Sequence, residues 1–369
     1  MPVHYHEGKF PPANLDWQKL IPLLGPASGA LARYDGILAA IPNPEVLLSP
    51  LSTQEAVLSS RIEGTQATMG EVLEFQAGQA PVSEERREDI HEILNYRAAM
   101  RRAEELLKTL PFSLRVIREA HKVLLDGVRG QNKSPGEFRH VPNWIGPPGC
   151  TMENAHYIPV SAEKLPDFMS SWEKFAYSEF PDIMVQLALL HAEFEALHPF
   201  LDGNGRLGRM IIPLFLWQKR LIRQPMFYIS AFFESHRDAY YDCLLAVSQN
   251  DDWTGWCRFF LQAVQIQAED NLKKAQGILS LYEGLKVRVP EMTHSQYAIR
   301  ALDWIFGQPI FSHSVFIASS GIPEPTAKRI LSVLESGNIL RILVPGRGRR
   351  SSIVAFPALL NIAEGKELV

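Results

Sequence analysis

With 369 residues, 46% of them hydrophobic, the chain has the apolar content for a large core and the length for two or three domains. A net charge of −4 excludes any general attraction to nucleic acid or to an anionic membrane, and no apolar run approaches the length needed to span a bilayer. Cys150, Cys243 and Cys257 show neither a pairwise motif nor metal spacing, and the first residues lack the basic and apolar regions of a secretion signal, so the expected setting is a reduced cytoplasm.

In chain order, the stretch to about residue 30 is rich in proline and small residues and is expected to wrap the body. Helical patterns follow at about 53–63, 67–77, 86–109, 112–126, 163–178, 181–197, 206–221 and 235–248. The first opens on a Ser-x-x-Glu capping box at Ser52 and Glu55 and closes on Gly64. Its last carboxylate, Glu63, faces the negative end of the helix dipole and calls for a cationic partner. The cluster Glu84–Asp89 reads as a solvated helix start. From Gly136 to Val160 the rhythm breaks. Two short extended segments flank a loop rich in proline and glycine, which predicts a hairpin whose prolines allow only edge pairing. Tyr240 and Tyr241 are adjacent on an amphipathic helix and cannot both face inward, so one is free to meet an adenine while the other packs. A long helix runs from Trp253 to about Arg288. Beyond it, Ser314–Ser319 and Thr326–Ser336 predict helix, turn, helix, with Thr326 as a candidate cap, and Ile339–Val344 with Ser351–Phe356 predict a two-stranded wing. This segment resembles a winged-helix module, in which Lys328, Arg329, Arg341, Arg347, Arg349 and Arg350 are positioned to touch phosphates.

The densest chemistry lies in the run from His198 to Arg209, His-Pro-Phe-Leu-Asp-Gly-Asn-Gly-Arg-Leu-Gly-Arg. A histidine with an ordinary pKa of about 6.5 is mostly neutral at cellular pH and can take a proton from an attacking hydroxyl. Asp202 is a hard oxygen ligand of the kind Mg2+ takes singly while keeping water and phosphate oxygens in its other positions. Gly203, Asn204 and Gly205 form a turn whose backbone N–H groups can approach an anion, and the helix beginning there points more of them the same way. Arg206 and Arg209, three apart on its first turn, can fork onto phosphate oxygens. His191, Glu195 and His198 also have spacings that would suit a metal on one helix face. Pro199 and the glycine turn end that helix at once, and a metal site leaves the two arginines without a role.

The same run, Phe200 included, matches the signature of Fic proteins at every fixed position, and the chain is identified by it as resembling that family. The resemblance implies a mainly α fold, a Fic-type helical bundle with a β-hairpin flap, followed here by the winged-helix-like domain. It implies three regions: 1–108 with an inhibitory helix, 109–284 as catalytic core with the flap at about 136–160, and 285–369. It also implies transfer of AMP from ATP to a Ser, Thr or Tyr hydroxyl of a target protein and of the enzyme itself. In that reading His198 is the base, Asp202 holds Mg2+, and Phe200 and Gly203–Arg209 cradle the nucleotide. Ile145 and Gly146 of the flap adjoin it, with Tyr240 and Tyr241 as further nucleotide candidates. Intact glycines and arginines distinguish the run from a branch of the family that acts as a kinase. Ser59-x-x-x-Glu63-Gly64 resembles the family's inhibitory motif, which implies that Glu63 pairs with Arg209 and turns the γ-phosphate into an unproductive pose. A homodimer is a further implication of the resemblance. The alternative is a nucleotide-sensing regulator that binds DNA through residues 313–356.

Overall fold

The computed structural model describes residues 1–147, 149–348 and 350–366, so Arg349 of the basic wing lies outside the described residues. In chain order the helices are α1 (Trp17–Ala40), α2 (Pro44–Leu47), α3 (Ser49–Ile62), α4 (Met69–Gln76), α5 (Glu84–Leu107), α6 (Leu114–Leu124), α7 (Leu165–Tyr177), α8 (Ile183–Leu197) and α9 (Asn204–Gln218). They continue with α10 (Ser230–Ser235), α11 (Arg237–Asn250), α12 (Trp253–Thr293), α13 (Ala298–Gly307), α14 (His313–Ser319), α15 (Glu324–Ser336) and α16 (Pro357–Glu364). The strands are β1 (Val3–His4), β2 (Tyr157–Ile158), β3 (Ile310–Ser312), β4 (Arg341–Val344) and β5 (Ile353–Ala355). The chain divides into two compact units that each draw on separated segments: residues 1–33, 58–64 and 94–269, and residues 34–57, 65–93 and 270–369.

The first unit is built around α8. Its sequence is apolar on all sides, and a helix of that kind has to be central; nearly every side chain from Met184 to Leu197 is buried. Asp182 starts it by accepting from the N–H groups of Met184 and Val185. Helices α7, α9 and α11 pack on it, and Trp172 and Trp256 donate their indole N–H groups to the Leu190 and Ala188 carbonyls. Two of the polar side chains on α8 tie it to its surroundings. Gln186 donates to the Phe175 carbonyl at 2.7 Å, and Glu193 accepts from Tyr5 at 2.6 Å and meets His6 at 2.8 Å.

Those last contacts anchor the N-terminal segment, whose strand β1 pairs in parallel with β2, Val3 against Tyr157 and His4 against Ile158. The chain therefore returns on itself at 145–157 with a single antiparallel bridge, Ile145 to Tyr157, and the expected hairpin is reduced to that bridge. Pro142, Pro147 and Pro159 deny N–H donors on both sides of it, and β1 takes the remaining edge of β2. Two local expectations change. The stretch 17–40 is helical despite Pro22 and Pro26. Helix α3 begins at Ser49, so Ser52 lies inside it and caps nothing, while the capping box belongs to Thr68 and Glu71 on α4.

The second unit holds a three-stranded antiparallel sheet in the order β3-β5-β4, with α14 packed on α15 and α13 against α15 and α2. The helix-turn-helix and the two paired strands stand where the sequence places them. Strand β3 is an addition, and α15 starts at Glu324 after Pro323, so Thr326 lies in its first turn and is not the cap. Lys328 pairs with Glu324 at 2.6 Å, and Arg329 turns onto the Thr293 carbonyl.

Candidate active site

The site is made by the ends of α8 and α9. Helix α8 stops at His198, which adopts a left-handed conformation with φ 46° and ψ 61°. Five residues later Gly203, at φ 77°, opens α9. Between them the Asn204 side chain closes the loop from both sides: its Oδ1 accepts from the Phe200 N–H and its Nδ2 donates to the Phe200 carbonyl, each at 2.8 Å. The Asn in the signature is thus a loop clamp. A helix leaves its first N–H groups without partners inside itself, and at the start of α9 these form a ready anion site.

Glu63 occupies that position. Arg209 Nη2 donates to Glu63 Oε1 at 2.7 Å and to the Ser59 carbonyl at 2.7 Å, while its Nε donates to Ser59 Oγ at 2.9 Å. The Arg209 side chain is 1% exposed and that of Glu63 is 34% exposed. A Cβ placed on Gly205 would overlap Glu63 Oε1. Only glycine at 205 therefore leaves room for a carboxylate over the first turn of α9. Burial opposes ionisation of Glu63, but the charge and hydrogen bond of Arg209, with the charge of Arg206, outweigh it and hold the carboxyl below its ordinary value. Gly64 follows at φ 109°, a backbone shape that glycine adopts without strain, and lets the chain leave α3 directly behind the carboxylate.

Arg206 Nη2 donates to Asp202 Oδ1 at 3.1 Å. The two arginines are therefore not a free pair of forks: each is held by its own carboxylate. More than a third of the Asp202 side chain stays open to solvent. A lone accessible carboxylate suits Mg2+, which keeps several waters, and among the described residues there is no cluster of three or more His, Cys, Asp or Glu that would suit a protein-enclosed ion.

His198 is half-buried, and burial pushes its pKa down to about 4; Glu63 and Asp202 pull it up and Arg139 pushes it further down. The imidazole is consequently neutral at cellular pH and fit to accept a proton. Its Nδ1 has no hydrogen-bond partner among the described residues. His191 is unavailable to a metal. Its Nδ1–H donates to the Gly208 carbonyl at 3.1 Å, and its Nε2, the acceptor of a neutral ring, takes the Tyr240 hydroxyl proton at 2.8 Å. The metal-ligand reading of His191, Glu195 and His198 is therefore set aside.

Tyr240 is 1% exposed, with its hydroxyl committed to His191 and its ring 4.4 Å from Phe233, so it is a core residue and the adenine role expected of it is corrected. Tyr241 points the other way, 40% exposed with the Arg237 guanidinium over its ring. Phe200 is fully buried and stacks on His121 at 3.8 Å, so it shapes the loop from beneath and its side chain is closed to a nucleotide. Ile145 is exposed, and Gly146 packs so tightly that a Cβ would come within 2.7 Å of Cys150 Sγ.

Three residues that the sequence reading passes over hold the site from behind. The Gly136 N–H donates to His121 Nδ1 at 2.8 Å, which leaves Nε2–H to donate to the Asp202 carbonyl at 2.9 Å. Asn143 Nδ2 donates to the carbonyls of His198 and Phe200. Arg139 lies buried beside them. A polar residue in an irregular segment has no periodicity to betray it; the one available signal was a lone arginine between Phe138 and the prolines.

One helix thus ends on a histidine and the next starts on a Gly-Asn-Gly-Arg turn, the run by which the sequence resembles the Fic family. The comparisons agree. Residues 21–105 match the Fic/DOC family N-terminal model and residues 111–216 the Fic/DOC family model. The chain belongs to the Fic/DOC family. It is 27% identical over 198 residues to a protein adenylyltransferase Fic of Culex quinquefasciatus, covering 52% of this chain and 36% of that protein. It is also 27% identical over 158 residues to one of Drosophila willistoni, covering 41% and 29%. The matched stretches thus span only about a third of the length of these curated relatives. Among solved structures, a Fic family protein from Desulfovibrio desulfuricans aligns with a TM-score of 0.60 at 19% identity, over 94% of this chain and 98% of that one. A Fic domain containing signaling protein from Bacteroides thetaiotaomicron aligns at 0.54 and 20% identity, over 68% and 97%. Among the described residues, no helix is long and apolar enough to cross a membrane.

Proposed function

We propose that the protein is a Mg2+-dependent protein adenylyltransferase that moves AMP from ATP to a Ser, Thr or Tyr hydroxyl of a target protein and is restrained by its own Glu63. The observation that carries this reading is the carboxylate over Gly205. An acidic side chain held at a helix N-terminus by a buried arginine stands where an anionic substrate group would sit, and it sits there by a contact that glycine alone permits.

In the productive arrangement Glu63 withdraws, and the phosphates lie over the Gly203–Arg206 turn with Arg209 turned to the γ-phosphate. Asp202 would hold Mg2+, which would supply charge neutralisation at the phosphate oxygens. His198 takes the proton of the target hydroxyl as its oxygen attacks the α-phosphorus. The bond from the α-phosphorus to the bridging oxygen breaks, and pyrophosphate leaves with its charge met by the two arginines. Dimerisation and a cytoplasmic setting belong to the same proposal. The test is intact-mass spectrometry of Glu63→Gly after incubation with Mg2+, ATP and cell lysate. An AMP adduct that is absent from the Glu63→Gly, His198→Ala variant is expected. A phosphate adduct would make the protein a kinase, and no adduct on any protein would remove the transferase reading.

A further inference from the structure

Helix α8 has to end its carbonyl ladder somewhere, because its last C=O groups have no partners inside the helix and carry the negative end of its dipole. Arg139, 2% exposed, fills that place. Its Nε donates to the His198 carbonyl at 3.0 Å and its Nη2 to the Leu197 carbonyl at 3.3 Å and to that of Val160, and its backbone N–H donates to the Pro199 carbonyl at 2.9 Å. No carboxylate pairs with it among the described residues, so the counter-charge of this buried guanidinium is the end of α8 itself. His198 sits at φ 46°, a left-handed conformation costly for a residue with a Cβ and kept only where surroundings impose it. The bond from Arg139 Nε to the His198 carbonyl is the most direct such constraint, seconded by Asn143 at 3.3 Å.

We propose that Arg139 is a positioning residue for the adenylyl transfer: by binding the carbonyls of Leu197 and His198 it locks the base into its left-handed placement at the mouth of the Gly203–Arg206 turn. The inference rests on the transferase reading above. Lysine cannot replace it, because a single ammonium lacks the planar fork that spans several carbonyls at once. The guanidinium charge also acts on the ring. The charged groups facing His198 are Glu63, Arg139 and Asp202, and of these Arg139 alone disfavours the imidazolium.

The test compares Arg139→Lys and Arg139→Met in the Glu63→Gly background, with His198→Ala as the control. Displacing a reacting group by an ångström costs about 10²-fold, so both variants should lose about 10- to 100-fold in kcat with little change in KM for ATP. The acid limb of the pH profile should move to higher pH in Arg139→Met and stay with the parent in Arg139→Lys, which keeps the charge. Activity falling only in proportion to the folded fraction, with an unmoved acid limb in Arg139→Met, would overturn the proposal. If Arg139→Met does not fold, Arg139→Lys carries the test through its kcat-against-KM split. A parent that transfers no AMP sinks the transferase reading on its own. NMR titration of the His198 ring, assigned by its loss in His198→Ala, then still reads Arg139: a higher midpoint in Arg139→Met supports the role, and an unchanged one refutes it.

Discussion

Replacing Glu63 by glycine removes one charge-assisted hydrogen bond and the atom group that fills the space over Gly205. A hydrogen bond to a charged partner contributes about 1.5–3 kcal/mol. Arg209 is sealed from water, but Glu63 is about one-third exposed, and solvent screening trims the upper end, leaving about 1.5–2 kcal/mol for the closed arrangement. At 1.4 kcal/mol per factor of ten, that predicts a rise of about 10- to 30-fold in the initial rate of pyrophosphate release with saturating target. The figure is a minimum, because the variant also vacates the volume that a phosphate needs. Arg209 keeps its two bonds to Ser59, so the fold should survive with a melting temperature only a few degrees lower. A rate unchanged within twofold, in a variant that remains folded and loses its activity on adding His198→Ala, would refute the self-restraint while leaving the chemistry intact.

Further predictions concern ionisation and the metal. Burial pushes His121 down to about 4 and His191 to about 3, as it does His198 to about 4. The unfolded chain therefore binds more protons than the folded one below pH about 6.5, and stability, fully present above that pH, should fall toward pH 4 by about 1.4 kcal/mol per pH unit for each histidine. Melting temperatures that stay flat from pH 7 to 5 would contradict this. Glu195 behaves in the opposite sense. Burial raises it to about 8, with Arg209 pulling it down and Glu63 adding to the rise, and its Oε1 has no hydrogen-bond partner among the described residues. Between pH about 4.5 and 8 the folded state keeps a proton that the unfolded state has lost, so stability declines with rising pH over that window. Glu195→Gln should recover on the order of 1–3 kcal/mol at pH 8 and nothing at pH 4; a lower melting temperature than wild type at pH 8 would count against the argument. Asp202→Asn should raise the Mg2+ concentration needed for half-maximal rate while also loosening Arg206, and an unchanged Mg2+ dependence would remove Asp202 as the ligand.

Much of the site was legible because its parts are local. His198, Asp202, Gly203 and Gly205 follow one another closely enough for one turn to assemble them, and Glu63 betrays itself by standing at the wrong end of a helix dipole. What lay hidden depends on distant contacts or on direction. The pairing of β1 with β2 joins residues over 150 positions apart, and no pattern around Val3 announces it. The helical course of 17–40 was masked by two prolines that a helix packed against a core tolerates. Adjacency predicted that Tyr240 and Tyr241 would part company, yet only the fold decides which of them turns inward, onto His191. Arg206 and Arg209 share a helix face by spacing, but the carboxylates of Asp202 and Glu63 draw them to separate tasks.

We propose that ATP gives up its AMP, and not its γ-phosphate, to a protein hydroxyl through His198. Glu63→Gly and the Glu63→Gly, His198→Ala double variant, incubated with Mg2+ and ATP labelled at either the α- or the γ-phosphate in the presence of cell lysate, put that claim to the question. Label on protein from the α position alone, lost in the double variant, is the predicted result. Label retained from the γ position, or α-label undiminished without His198, would contradict it.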